Sequence, residues 1–137
     1  MKEWLVDTNV LLDVIGADPV YGQASKKALV ECSDSGVLVI NPVIYAEVGT
    51  LADTLEELEQ LLPEYLFRRD QIPWESAFLA GKAFVRYRRL GGRRQRILAD
   101  FMIGAHAAVA GFGLITRDRR IGKYFNIEIL DPSMCSN

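Results

Sequence analysis

The chain has 137 residues, half of them hydrophobic and a quarter charged, a balance that suits one globular domain with a real core over 1–137 and excludes a disordered chain. No apolar run approaches the roughly 18 residues a membrane span requires, and the N-terminus lacks a basic stretch leading into an apolar signal core, so the sequence reads as that of a cytoplasmic protein. The formal net charge of −2 conceals an asymmetry: eleven basic residues stand against two acids from Lys82 to Lys123, whereas residues 1–81 carry five basic and fourteen acidic ones.

The first predicted element is a short buried strand over 4–6, followed at once by Asp7-Thr8-Asn9, for which a turn is the plainest explanation although no Gly or Pro marks one, and by a renewed apolar run through Leu12. A helix is predicted over 23–32, with Ala24, Ala28 and Val30 among lysines, and a second strand over 37–40. Asn41-Pro42 supplies an N-cap and a first-turn proline for a helix through Glu47 and Val48. Asp53-Thr54 caps a helix over 55–62 with Leu55, Leu58 and Leu62 on one face, ended by Pro63. Longer helices are predicted over 74–89, stopped by Gly91-Gly92, and over 99–110, stopped by Gly111 and Gly113; strands follow over 114–116 and 127–130. Short apolar strands alternating with helices predict an α/β domain, a central, mostly parallel sheet with helices on both faces. Cys32 and Cys135 are far apart and show no zinc spacing, so both read as free thiols.

In such a sheet ligands gather beyond the carboxyl ends of the strands. Asp7 falls at the end of the first strand, Asp118 just past the strand over 114–116, and Asp100 opens the helix leading into that strand. Glu47 sits in an otherwise apolar stretch of the helix after the second strand. Each acid alone has an ordinary explanation as a cap, a turn or an exposed residue. Four carboxylates at one edge would repel one another unless a cation lay among them, and oxygen-only donors select magnesium or manganese.

The stretches "VDTNVLLD" at 6–13, "NPVIYAEV" at 41–48, "ILADFMIGAHAAVAGFGLITRDRRIGKYF" at 97–125 and "IEILDP" at 127–132 resemble those of the PIN-domain ribonucleases, most closely the VapC-type toxins. The resemblance implies a PIN-like fold and a metal-dependent endoribonuclease in which Asp7, Glu47, Asp100 and Asp118 bind a divalent metal (magnesium or manganese), Thr8, Asn9 and Thr116 support them by hydrogen bonding, and the products carry a 5′-phosphate and a 3′-hydroxyl. It further implies a homodimer and a small antitoxin protein that occludes the acids. Some relatives carry a further acid shortly after the position of Asp118, whereas here Arg119 and Arg120 follow it.

The basic segment suits an RNA substrate. Lys82, Arg86 and Arg89 share one helical stripe, which Arg93, Arg94 and Arg96 extend toward Asp100, with Arg117 beside Asp118. The same stripe would also serve as a plain solvated face. His106, six residues from Asp100, lies off its face. The small residues Gly104, Ala105, Ala107, Ala108 and Ala110 read as a surface that packs closely on the sheet. Two rival readings are a PIN-like module that binds RNA without cutting it and a phosphoacceptor receiver domain. The receiver would require paired acids after the first strand and a lysine after a late one, where this chain has Asp7-Thr8-Asn9 and Thr116-Arg117-Asp118.

Overall fold

A computed structural model describes residues 1–134. Its sheet is built from β1 (Lys2–Val6), β2 (Gly36–Ile40), β3 (Arg68–Arg69), β4 (Gly113–Ile115) and β5 (Ile129–Leu130). The order is β3-β2-β1-β4-β5 and every pairing is parallel. Because the chain steps outward from β1 to β3 and then returns to pair β4 against the other side of β1, the strand order reverses between β1 and β4. That reversal is the switch point at which doubly wound sheets open a crevice.

The inner strands are apolar because they are buried: Leu5, Val6, Leu38, Val39, Ile40, Leu114 and Ile115 are all at most 4% exposed. Between the strands run α1 (Thr8–Ile15), α2 (Gly22–Ser35), α3 (Pro42–Gly49), α4 (Leu55–Leu61), α5 (Trp74–Arg89) and α6 (Ile97–Ala110). As expected, Asn41 caps α3, its side chain accepting the Ile44 amide, and Thr54 caps α4. On α4 the leucine face is only partly core: Leu58 and the C-capping Leu62 are buried, while Leu55 is exposed.

Three expectations need correction. The turn read after Asp7 is instead α1, which begins directly on Thr8; Asp7 is its N-cap, with its side chain accepting the Thr8 amide. The last strand is shorter than 127–130, and β3 was not anticipated at all, since Arg68 and Arg69 are exposed and carry no apolar signal. The close approach allowed by Gly104 is to the 3-10 turn Arg119–Lys123 rather than to the sheet. A Cβ there would meet Ile121 and Phe125 at 2.8 Å.

This contact helps hold the loop after β4 over the start of α6. Phe101 packs against Tyr124 and Phe125 at 4.9 and 5.9 Å between ring centres, and Tyr87 of α5 closes edge-on against Phe101 at 5.8 Å. The Tyr87 hydroxyl also accepts the Arg94 amide at 2.9 Å, tying the 93–96 loop to the same aromatic group. Cys32 is buried in α2, Cys135 lies outside the described residues, and no helix among the described residues is long and apolar enough to cross a membrane.

A second tie runs through the buried Asp13 of α1. Its carboxylate accepts Arg117 Nε at 2.7 Å, Arg117 Nη2 at 3.0 Å and the fully buried Ser25 hydroxyl at 2.7 Å, and the guanidinium lies 4.0 Å from the Tyr21 ring centre. Asp13→Ala removes an acceptor shared by two groups, one of which is sealed from water, and should cost about 2–4 kcal/mol. Urea unfolding should show the midpoint falling with the slope unchanged; a loss below about 0.5 kcal/mol, the level of an ordinary surface substitution, would contradict this account.

Candidate active site

The parallel register sets the first contact. Val6 pairs with Ile115, and the Asp7 amide donates to the Ile115 carbonyl at 2.9 Å, so Asp7 and Thr116 leave adjacent strands side by side. The Thr116 hydroxyl donates to Asp7 Oδ2 at 2.6 Å and accepts the Asp118 amide at 3.0 Å. Asn9, in the first turn of α1, donates its Nδ2 to Asp7 Oδ2 at 3.1 Å and to Thr116 Oγ1 at 3.2 Å, while its Oδ1 accepts the Arg117 amide at 3.2 Å. Thr8 reaches the other way, its hydroxyl donating to Glu47 Oε1 of α3 at 2.6 Å. Asp100 lies in the first turn of α6 and Asp118 caps the 3-10 turn.

Electrostatics show the acids facing one another. Burial above all pushes Asp7 up to about 7; hydrogen bonds from Thr116 and Thr8 oppose the rise, and the charges of Asp100 and Glu47 add to it. Asp100 is pushed up to about 6, again mainly by burial; Arg94 opposes, and Glu47 and Asp118 reinforce. Asp118 behaves differently. Burial raises it, but Arg120, with help from Arg94, outweighs that effect and holds it below the usual carboxylate range. Arg94 therefore offsets the charge of Asp100 only in part, Arg120 and Arg94 together offset that of Asp118, and no cation among the described residues offsets that of Asp7.

An all-oxygen donor set of this kind fits a hard divalent cation. Among the described residues, however, no three Asp, Glu, His or Cys side chains are drawn in around one point. Each carboxylate has local donors: Thr116 and Asn9 on Asp7, Thr8 on Glu47, Arg94 on Asp100 and Asp118, Arg120 on Asp118. A cation would have to exchange some of these bonds for its own.

The predicted RNA-binding residues separate into groups. Arg94 reaches the acids, its Nη2 at 3.5 Å from Asp100 and its Nη1 at 3.6 Å from Asp118. Lys82 and Arg86 line a neighbouring cleft with Tyr124, Phe125 and Asn126, the Arg86 guanidinium lying over the Tyr124 ring. Arg89, Arg93 and Arg96 are exposed. Arg117 is turned inward, onto Asp13. His106 is buried at 1% exposure, paired with Asn41 at 3.0 Å, and its pKa is lowered by burial. Sequence reasoning overlooked Asp13, Ser25 and the role of Arg120; only the spacing of Arg120 two residues after Asp118 was available as a signal.

The raised Asp7 pKa fixes a sign. A carboxyl protonated more readily when folded contributes stability that is full below about pH 4 and is lost as pH rises through about 7. In EDTA, wild type should therefore lose stability relative to Asp7→Asn between pH 4 and 7, with a slope of at most about 1.4 kcal/mol per pH unit, and the difference should level off above. The lowered His106 acts in the opposite sense below pH 6.5 and is common to both proteins, so it cancels. Thermal unfolding across this range gives the comparison; a pH-independent difference would contradict the assignment.

The family model for the PIN domain matches residues 4–125. No curated protein matches the chain. Among solved structures, VapBC-1 from nontypeable Haemophilus influenzae is similar at a TM-score of 0.72 and 16% identity, covering 96% of this chain and 98% of that one. DNA-bound VapBC from Salmonella typhimurium is similar at 0.71 and 19%, covering 96% and 99%. FitAcB from Neisseria gonorrhoeae is similar at 0.69 and 19%, with the same coverage. With the family model spanning all four acids and the folds agreeing over nearly their whole length, the chain belongs to the PIN-domain family.

Proposed function

We propose that the protein is a metal-dependent endoribonuclease and the toxin of a toxin–antitoxin pair. The observation that carries this reading is that Asp7 and Asp118 leave the paired ends of β1 and β4 at the sheet's switch point, where burial pushes Asp7 up to about 7 and the charges of Asp100 and Glu47 add to the rise. Membership of the PIN family, whose members are typically nucleases, supports it.

In this reading the four carboxylates form the donor set for magnesium or manganese. When bound, such an ion supplies a water of lowered pKa and positive charge for the scissile phosphate. Thr116 and Asn9 hold and orient the Asp7 carboxylate from behind, both through Oδ2. Thr8 fixes Glu47 by Oε1, which leaves Oε2 to orient water or accept its proton. Arg94, together with the exposed Arg89, Arg93 and Arg96, offers cationic contacts to the RNA backbone, and Lys82 and Arg86 continue that track past Tyr124. The chain would form a homodimer and be silenced in the cytoplasm by a small antitoxin protein, a reading supported by the similarity to chains solved in toxin–antitoxin complexes, such as one from Klebsiella pneumoniae.

One observation favours a second reading, an RNA-binding module that does not cut: no three carboxylates among the described residues surround one point as they stand. The two are separable. Purified protein should generate new 5′-phosphate ends in total bacterial RNA with Mn2+ or Mg2+ and stop in EDTA, and Asp7→Asn should slow this by about 10³-fold or more with the circular dichroism spectrum unchanged. RNA retained but left intact by the wild type would favour the binding module instead.

A further inference from the structure

Within the proposed donor set Asp118 stands apart. Its Oδ1 accepts Arg120 Nε at 2.9 Å and the Arg120 amide at 3.1 Å, and its Oδ2 accepts Arg120 Nη2 at 3.0 Å. A second cationic group, Arg94, lies with its Nη1 3.6 Å from Oδ2. Both oxygens of this carboxylate therefore already face a cation supplied by the chain itself. Among the described residues none of the other three acids is gripped by a two-pronged guanidinium: Asp7 and Glu47 accept hydroxyl and amide donors, and Asp100 has one contact with Arg94 at 3.5 Å.

The Arg120 fork is placed to do more than neutralise its neighbour. The side chain is 62% exposed, whereas that of Asp118 is 21% exposed, and both line an open, polar cleft of about 480 Å³ with Asn9, Arg94 and Arg119. Asn9 also bonds Asp7, so the cleft adjoins the acids at the switch point. A guanidinium carries five N–H donors in one plane. The bonds to Asp118 engage Nε and Nη2, so the Nη1 edge can take a second anion without giving up the first. The fork that matches a carboxylate also matches two oxygens of a phosphate.

We propose that the site takes a single divalent ion, held by Asp7, Glu47 and Asp100 directly or through water, and that Arg120, anchored by Asp118, is the second positive centre, binding the non-bridging oxygens of the scissile phosphate. This narrows the four-acid donor set to three, and Asp118 becomes a positioning residue that acts through Arg120. The proposal rests on the ribonuclease reading and assigns the second positive charge on the phosphate to this chain's own guanidinium.

Calorimetric titration with Mn2+ alone and the rate of appearance of new 5′-phosphate ends in total bacterial RNA test this on the full chain. Wild type should bind one Mn2+ per chain. Arg120→Met should still bind one, with equal or tighter affinity because a repelling charge is gone, yet cut about 10²-fold more slowly; Arg120→Lys, which keeps the charge but not the fork, should fall between. Two Mn2+ per wild-type chain, cutting by Arg120→Met within threefold of wild type, or loss of Mn2+ binding in that variant while it remains folded would each overturn the proposal. A wild type that binds Mn2+ but leaves RNA uncut, or that does neither, defeats the ribonuclease reading itself.

Discussion

The hydrogen bond from the Thr116 hydroxyl to the Asp7 carboxylate, 2.6 Å long, joins residues 109 apart in sequence and exists only because β1 and β4 pair in parallel with Val6 opposite Ile115. Slipping that register by one residue would turn Thr116 to the other face of the sheet and leave Asp7 buried without its donor. The same hydroxyl accepts the Asp118 amide, and Asn9 bridges Asp7 to Thr116 and to the Arg117 amide. One strand pairing thus fixes two of the four acids and the residues that orient them.

The other two arrive by helix placement. Glu47 is delivered by α3, capped and started by Asn41-Pro42 at the end of β2, and Asp100 by the first turn of α6. Near a helix N-terminus a carboxylate meets favourable backbone charge, yet burial and the neighbouring acids still push Asp100 up to about 6. Around this group the chain sets its cations unevenly: Arg117 serves Asp13, Arg94 spans Asp100 and Asp118, and Arg120 closes on Asp118. Charge compensation among the described residues is therefore complete at Asp118, partial at Asp100 and absent at Asp7.

Much of this was legible in the sequence because it depends on local pattern. The apolar runs of β1, β2 and β4, the caps at Asn41 and Thr54, and the glycine stop after Ala110 all follow rules with a short range. Helix α1 is hidden because the polar break at Asp7-Thr8-Asn9 is explained as well by a turn as by the N-cap that Asp7 provides. Strand β3 has two exposed arginines, held by Glu3, Asp70, Glu59 and Glu64, and no hydrophobic signal to betray it. The arginine stripe followed helical spacing correctly, but periodicity does not say which anion each guanidinium meets. The pairing of Arg117 with Asp13 and of Gly104 with the 3-10 turn depended on contacts that close only in the folded chain.

Everything proposed for this chain requires that the acids at the switch point, Asp7 foremost, take a cation. Anomalous scattering from crystals grown with Mn2+ tests it most directly. The account predicts a manganese peak within coordination distance, roughly 2–2.5 Å, of the carboxylate oxygens of both Asp7 and Asp100. Well-ordered carboxylates at these positions with no peak beside them, or manganese bound only elsewhere on the molecule, would contradict it.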